Sequence, residues 1–318
     1  MTSLPLATPP PRLAPADAAF PRVLLGVDFS SASLAAARWA TAHVAPRANA
    51  LLAHVLPLPE HSSEDDNGDG MESLRQMKPA LVGGLGGFAA TLDVAGARSV
   101  LRIGRPSRWL SIIANDEHVP LLALGRRADA NRVRVGEPNV IERASRRTSA
   151  SVLVVPEGIV RPPAHIVAAI DESRFSPRVL RVAHHLARLH EVSMTVLHVL
   201  SPAVGAYERV IRSARQLLGG NRQLQSADRS SAPNALPLRM PGWLVELAQS
   251  HGVFGRDRTE VRIGDPAREI TAVASSGAAT LVIVGMRGAD EAPLGSLGSV
   301  ARDLLARAPF PVLAVNGK

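Results

Sequence analysis

The sequence predicts an α/β fold made of two tandem, doubly wound domains, each with a five-stranded parallel sheet. Short apolar runs alternate with segments rich in Ala, Leu and Arg, a pattern typical of parallel strands with helices on both faces. The chain also repeats its own landmarks, since Asp28 and Asp171 end equivalent apolar runs 143 residues apart. A length of 318 residues is enough for two domains with separate cores.

The elements repeat in the same order in both halves. The first strand covers residues 23–28 and 166–171, and helices are predicted at residues 33–44 and 177–190. The second strand, at residues 50–56 and 195–200, ends in His-Val-Leu in both copies. The halves align again at residues 101–106 and 261–266, and each closes with an apolar strand at residues 151–155 and 311–315.

The spacing of these landmarks locates an insertion and the domain boundaries. Val55 and Val199 are 144 residues apart, whereas Gly104 and Gly264 are 160 apart, so the second half has about sixteen extra residues (160 − 144). We assign them to the polar, turn-rich stretch 219–241. The predicted organisation is a disordered Pro-rich leader at 1–20, a first domain at 21–158 and a second at 163–318. The leader lacks the basic start and apolar run of a signal peptide.

Composition argues against several classes of partner. The net charge is +8, but 34 of the 36 basic residues are Arg, and they are scattered through both halves. Only three Trp, one Tyr and six Phe are available to stack on bases, so no specific nucleic-acid binding is expected. The sequence has no apolar run long enough to predict a membrane span, and no cysteine, which favours the cytoplasm.

A glycine-rich stretch in the second half is the main functional motif. Gly285-Met286-Arg287-Gly288 is followed by Gly298-Ser299, between an apolar strand at residues 280–284 and a predicted helix at 300–308. Glycines at such a turn allow a close approach of the backbone to a ligand and leave N–H groups that can point at an anion. The positive end of the helix dipole adds to this attraction. The motif therefore predicts a phosphate-binding loop.

The spacing G-x2-G-x9-G-S resembles the signature of the ATP-holding subgroup of the universal stress protein family. The resemblance covers residues 21–316 as a tandem pair of Rossmann-like domains. It implies strand order 3-2-1-4-5 in each half, ATP with or without Mg²⁺ as ligand, and association through the last strand. Because each half ends in an apolar strand, we expect the two halves to form an intramolecular pseudo-dimer, with a homodimer as a further possibility.

The resemblance assigns ligand contacts in the second half. With Arg287 added for its charge, the predicted site residues are Asp171, Val199, Gly285, Arg287, Gly288, Gly298, Ser299 and Val300.

Each predicted residue has a physical role and a plainer alternative. Asp171 can accept hydrogen bonds from ribose hydroxyls or an adenine amine, or it can simply cap the next helix. Val199 can pack on the base, and it is a core strand residue in any case. Ser299 is expected to cap its helix and to offer a hydroxyl to phosphate.

The corresponding loop of the first half departs from the pattern. Ala128 replaces the second glycine, at a cost of about 1 kcal/mol if a positive φ is needed there. Pro138 replaces the third glycine. Proline has no N–H to offer a phosphate, and its φ is fixed at about −65°, which we expect to be the wrong backbone geometry for the loop. Asn139 can still cap the following helix, and Asp28 and Val55 are retained. We therefore predict a degenerate first-half site and one nucleotide per chain.

No catalytic or metal-binding constellation is evident. The sequence has no Walker-type Gly-Lys-Ser/Thr and no nucleophile elbow, and the histidines at 184, 185, 190 and 198 lack suitable co-ligands. The predicted function is an ATP-binding sensor or regulator of a stress response, with an unknown protein partner. The first alternative is an interaction protein without nucleotide. The second is an enzyme of the same broad nucleotide-binding class, such as an ATP pyrophosphatase or adenylyl transferase, which would need a Ser-Gly-Gly-x-Asp-Ser or His-x-x-His motif after the first strand, and neither is present. Any ATP hydrolysis is expected to be slow and incidental.

Overall fold

The computed structural model describes residues 19–57, 69–127, 139–201, 240–251, 257–276, 280–288 and 296–317. The strands in these ranges are β1 Arg22–Gly26, β2 Asn49–Leu56, β3 Gly96–Ile103, β4 Leu121–Arg126, β5 Ser151–Pro156, β6 His165–Ile170, β7 Ser193–Leu200, β8 Arg258–Ile263, β9 Thr280–Gly285 and β10 Val312–Val315. The helices are α1 Ser31–His43, α2 Asp69–Ala89, α3 Pro106–Asp116, α4 Val140–Arg147, α5 Ser176–Leu189, α6 Gly242–Ser250, α7 Pro266–Ser275 and α8 Ser299–Arg307. Residues 1–18 of the predicted leader and residues 219–239 of the predicted insertion lie outside these ranges.

The described strands form one sheet in the order β3-β2-β1-β4-β5-β10-β9-β6-β7-β8. Within each half all pairings are parallel and the order is 3-2-1-4-5, which confirms the predicted topology. The halves meet through the antiparallel pair β5 and β10, with Leu153 opposite Leu313. The two final strands thus protect each other's edges, as predicted for a pseudo-dimer.

Helices cover both faces of the sheet. Side chains alternate between the faces with the period of two expected of a strand: Leu153 and Val155 contribute to one core, and Val152 and Val154 to the other. The first core contains residues of α1, α2, α5 and α6, and the second contains residues of α3, α4, α7 and α8. Because each core includes strands from both halves, the apolar layers are continuous across the junction.

The repeated histidines have a structural role in both halves. His54 Nδ1 lies 2.6 Å from the carbonyl oxygen of Val27, and His198 Nδ1 lies 2.9 Å from that of Ile170. Each imidazole can therefore donate to the backbone at the carboxyl end of the first strand of its half, which connects the second strand to the first. Among the described residues no group of three or more His, Asp or Glu is placed to hold a metal ion. No described helix is both long and apolar enough to cross a membrane.

A histidine pair joins the halves on the α1 and α5 side of the sheet. His190 Nε2 lies 2.8 Å from the carbonyl oxygen of His43, and the two rings are 5.5 Å apart. Trp39 packs edge-on against His43, and its indole N–H donates to the carbonyl of Arg161 between the halves. Burial, together with the neighbouring His190, lowers the pKa of His43 to about 4. A proton on His43 therefore opposes the folded state.

Replacing Leu153 by Ala should destabilise both halves together. Leu153 is fully buried at the junction, and removing its side chain should lower the free energy of unfolding by roughly 2–5 kcal/mol in one cooperative urea transition. Val160→Ala is the matched control, because Val160 is 76% exposed and its loss should change stability by less than about 0.5 kcal/mol. Two separate transitions, with only one shifted by Leu153→Ala, would contradict a continuous core.

Protonation of His43 should weaken the fold in mild acid. Its folded pKa of about 4 lies below the ordinary 6.5, so the unfolded state binds more protons between these values. The contribution of His43 to stability is fully present above pH 6.5 and is lost as the pH falls towards 4. Urea unfolding at several pH values should show that the free energy of unfolding depends less on pH in His43→Phe than in the wild type. The phenylalanine keeps a ring against Trp39. Parallel curves for the two proteins would exclude this role.

Candidate functional site

A cavity of about 360 Å³ opens at the carboxyl ends of β6 and β9, where the strand order reverses within the second half of the sheet. We call it the second-half cavity. It is lined by Ala169, Ile170, Asp171, Ser173, Ser176, Leu197, Val199, Pro266, Ile270, Val284, Gly285, Arg287, Gly288, Leu297, Gly298, Ser299, Val300 and Ala301. All eight predicted site residues are in this set, although Asp171 and Gly285 are more than a hundred residues apart in sequence.

A tight turn after β6 fixes the orientation of Asp171. The Asp171 N–H donates to Ser176 Oγ at 3.1 Å, and the Ser173 N–H donates to Asp171 Oδ1 at 3.0 Å. The Ser176 hydroxyl lies 2.7 Å from the Asp171 carbonyl oxygen. The turn leaves Asp171 in the lining of the cavity, with Oδ2 on the side of Gly288.

Ser173 and Ser176 were missed as site residues, although a signal for them was present. The first half has the same turn at Asp28, where the Ser30 N–H donates to the carboxylate and the Asp28 N–H donates to Ser33. Asp-x-Ser-x-x-Ser therefore occurs at the tip of the first strand in both halves. Its recurrence marks a structural turn that also shapes the cavity.

The loop glycines are needed for close approach and not for a left-handed backbone. None of Gly285, Gly288 and Gly298 has a positive φ. A Cβ at Gly285 would lie 3.0 Å from the Arg287 carbonyl oxygen, and one at Gly288 would lie 3.2 Å from Asp171 Oδ2. Gly288 is the counterpart of Ala128. Because Gly288 has no positive φ, the cost of about 1 kcal/mol that we attached to Ala128 for a positive φ does not apply.

The start of α8 differs from the prediction. Ser299 is not the cap but the first helical residue, and Gly298 is the N-cap. The Gly298 N–H donates to the Met286 carbonyl at 2.8 Å, which holds Gly298 just outside the helix. The first helical bond runs from the Arg302 N–H to the Gly298 carbonyl. The N–H groups of residues 299–301 therefore have no acceptor within the helix, and glycine has no side chain to cap them.

The expected effect of a proline in place of Gly298 also changes. Gly298 has φ −58°, a value that proline accepts, so the assumption of a wrong backbone geometry is incorrect. Its N–H is bonded to Met286 and does not serve a ligand. Proline here would remove a contact within the loop. Pro138 and Ala128 themselves lie outside the described residues.

The first half closes the equivalent helix end with its own residues. Asn139 caps α4 by accepting from the Glu142 N–H at 2.8 Å, so one N–H that could serve an anion is taken. Glu142 also places a negative charge in the first turn, whereas the residue 160 positions later is Arg302. Both features disfavour an anion at α4.

The helix after the first strand packs more closely against the loop in the first half than in the second. A Cβ at Gly125 would lie only 2.6 Å from the backbone nitrogen of Ser33, whereas at Gly285 the nearest atom of the facing α5 region is Phe175 Cβ at 3.8 Å. Asp28 lies 3.5 Å from Arg127. Burial raises the pKa of Asp28, but hydrogen bonds from Ser30 and Ser33 and the charge of Arg127 outweigh it and hold the pKa below its usual value. The carboxylate is thus ionised and already engaged.

The second-half cavity combines an apolar wall with a cationic end. Ile170, Leu197, Val199 and Ile270 contribute the apolar surface, and the α8 N-terminus and Arg287 contribute positive potential. The Arg287 Nε–H is 3.4 Å from the Ser296 carbonyl, so the guanidinium lies alongside the loop. The cavity suits a ligand that has both a flat apolar group and an anionic group.

Comparison with known proteins agrees with the tandem organisation. A family model described as the universal stress protein family matches residues 19–156 and 164–316. A universal stress protein of Mycolicibacterium smegmatis is 29% identical over 152 residues, which are 48% of this chain and 48% of that protein. The chain thus spans about half the length of this curated relative.

Solved structures share the fold. The crystal structure of a universal stress protein from Archaeoglobus fulgidus covers 94% of this chain and 100% of its own, at 17% identity and a TM-score of 0.62. A shorter universal stress protein of that organism, in complex with dAMP, covers 49% of this chain and 99% of its own, at 24% identity and a TM-score of 0.31. Since the family model matches nearly the whole sequence in two successive copies, the chain belongs to the universal stress protein family.

Proposed function

We propose that the second-half cavity binds ATP, and that the chain acts as a nucleotide-binding regulator of a stress response. The observation that carries this proposal is the N-terminus of α8. Three successive N–H groups, of residues 299–301, lack a helical acceptor at the edge of a cavity with an apolar wall. A phosphate is the ligand group that such an end attracts most strongly, because the N–H groups and the helix dipole act together.

The remaining parts of ATP have matching surfaces. The Ser299 hydroxyl and Arg287 can add donors to the phosphates, and the Asp171 carboxylate can accept from ribose or adenine. The apolar side chains of Ile170 and Val199 offer a surface for the base. The cavity volume of about 360 Å³ is in the range of small-molecule sites. Mg²⁺, when present, would be held mainly by phosphate oxygens and water.

The described lining of the cavity does not offer the groups needed for rapid hydrolysis. A general base must lie within hydrogen-bond reach of the attacking water. Asp171 is the one carboxylate in the described lining, and Ser173 and Ser176 already contact it. The described lining contains no histidine. We therefore infer a binding protein, in the cytoplasm where ATP is abundant, whose bound nucleotide is a signal read by another protein.

The direct test is to purify the protein, denature it and identify any released nucleotide by mass spectrometry. The proposal expects an adenine nucleotide, and titration of the emptied protein with ATP should give a stoichiometry near one per chain. Absence of any binding in calorimetry would favour the alternative of an interaction protein without nucleotide. A stoichiometry near two would contradict the closed first-half site.

Transferring the first-half residues to α8 should abolish tight ATP binding without unfolding the protein. Gly298→Asn gives α8 a side-chain N-cap, as Asn139 gives α4, and Arg302→Glu adds the negative charge that Glu142 carries, so the helix caps itself and repels an anion. We expect ATP affinity to fall about 10- to 100-fold, and thermal stability to be equal or higher because a side-chain cap is gained.

The matched control is the reverse exchange in the first half. Asn139→Gly with Glu142→Arg removes the cap and the negative charge of α4, and it should leave the affinity of the second-half cavity unchanged in the same calorimetric titration. Unaltered ATP binding by the α8 variant, in a protein shown to be folded by circular dichroism, would remove α8 from the proposed site.

A further inference from the structure

Arg126 makes a buried contact from the first half to the second. It is the last residue of β4 and occupies the first-half loop that corresponds to residues 285–288. Only 8% of the residue is exposed. One guanidinium nitrogen donates to the Leu305 carbonyl at 2.9 Å, and another donates to the Ala308 carbonyl. Both acceptors belong to the carboxyl end of α8.

This contact is at the carboxyl end of α8, whereas the amino end of the same helix lines the second-half cavity. α8 has nine residues and is about 13 Å long. Its last carbonyls have no helical donors, and a cation there interacts favourably with the helix dipole. Burial lowers the pKa of Arg126, yet an arginine stays protonated at neutral pH. The charge of Arg126 therefore balances the negative end of α8, while the positive end is open to an anion.

The equivalent position in the second half does not make this contact. The residue equivalent to Arg126 there is Met286, which is buried in the second apolar core. At the carboxyl end of α4 the Arg147 carbonyl accepts a hydrogen bond from within its own half, from the Asn115 side chain at 3.0 Å. An arginine in a position that the other half gives to an apolar side chain indicates a specific role at α8.

We propose that Arg126 is a positioning residue for the phosphate-binding end of α8, so that the first half sets the affinity of the second-half cavity for anionic ligands. The two hydrogen bonds hold the helix axially and in rotation, and the N–H groups of residues 299–301 move with it as one rigid element. This proposal rests on the proposed function, since it assumes that the second-half cavity binds ATP. Linkage then requires that ATP, when bound, strengthens the Arg126 contact in return.

The test compares ATP with adenosine, which lacks phosphates. Arg126→Met copies the apolar residue of the second half. It should weaken ATP binding about 3- to 10-fold and leave adenosine binding unchanged, because only phosphate meets α8. Arg126→Lys keeps the charge and should recover part of the loss. Arg307→Met is the matched control, since Arg307 is a cation in the last turn of α8 but is exposed, and it should change neither ligand's affinity.

Hydrogen exchange of the ligand-free proteins separates this proposal from the proposed function. In Arg126→Met the hydrogen-bonded N–H groups of residues 302–304 should exchange faster than in the wild type. If the wild type binds no nucleotide but exchange still increases in Arg126→Met, the proposed function fails, while the role of Arg126 in holding α8 is supported. If the wild type binds ATP while Arg126→Met shows equal affinity and equal exchange, the link is overturned and the function stands. Should the Met variant not fold, Arg126→Gln gives the same comparisons.

Discussion

The antiparallel pairing of β5 with β10 is the constraint on which the rest of the molecule depends. Each half alone would end its sheet in an exposed apolar edge, because both strands are buried on both faces. Joining the two edges makes one ten-stranded sheet and two apolar layers that run through both halves. It also brings the carboxyl end of α8 within reach of Arg126. The junction is therefore both the main cohesive surface and the route by which one half can influence the other.

Two crevices on the same scaffold differ through a few backbone donors. Both halves keep the aspartate turn at the tip of the first strand, at Asp28 and Asp171. In the first half Asn139 takes an N–H of the helix, Glu142 adds a negative charge, and the α1 backbone packs directly against Gly125. In the second half glycine stands at the N-cap and supplies no such partner. If the second-half cavity binds an anionic ligand as proposed, the difference between the halves depends on whether the protein satisfies its own helix terminus, and less on glycine flexibility.

The fold could be predicted because its determinants are periodic and repeated. Strands buried on both faces leave continuous apolar runs, and duplication shows each run twice. The strand order and the pairing of residues 151–155 with 311–315 were implied by the family resemblance, and the structure confirms both. The convergence of Asp171 and Gly285 followed from strand order. Details of single residues could not be predicted in the same way. The N-cap of α8 moved from Ser299 to Gly298 because of a hydrogen bond to Met286, a contact that no local pattern shows.

Arg126 illustrates why such contacts escape a reading of sequence. Within its own loop it looks like one of many scattered arginines, and its partners are carbonyl groups, which every residue has. Only the sheet order places that loop against the end of α8. Duplication within one chain makes this arrangement available, since the two halves can change independently while remaining paired. In two identical protomers, a change that closed one site would close the other as well. In the tandem chain the first half can, under the proposed function, lack an anion site of its own and still contribute a buried cation to the helix at the edge of the second-half cavity.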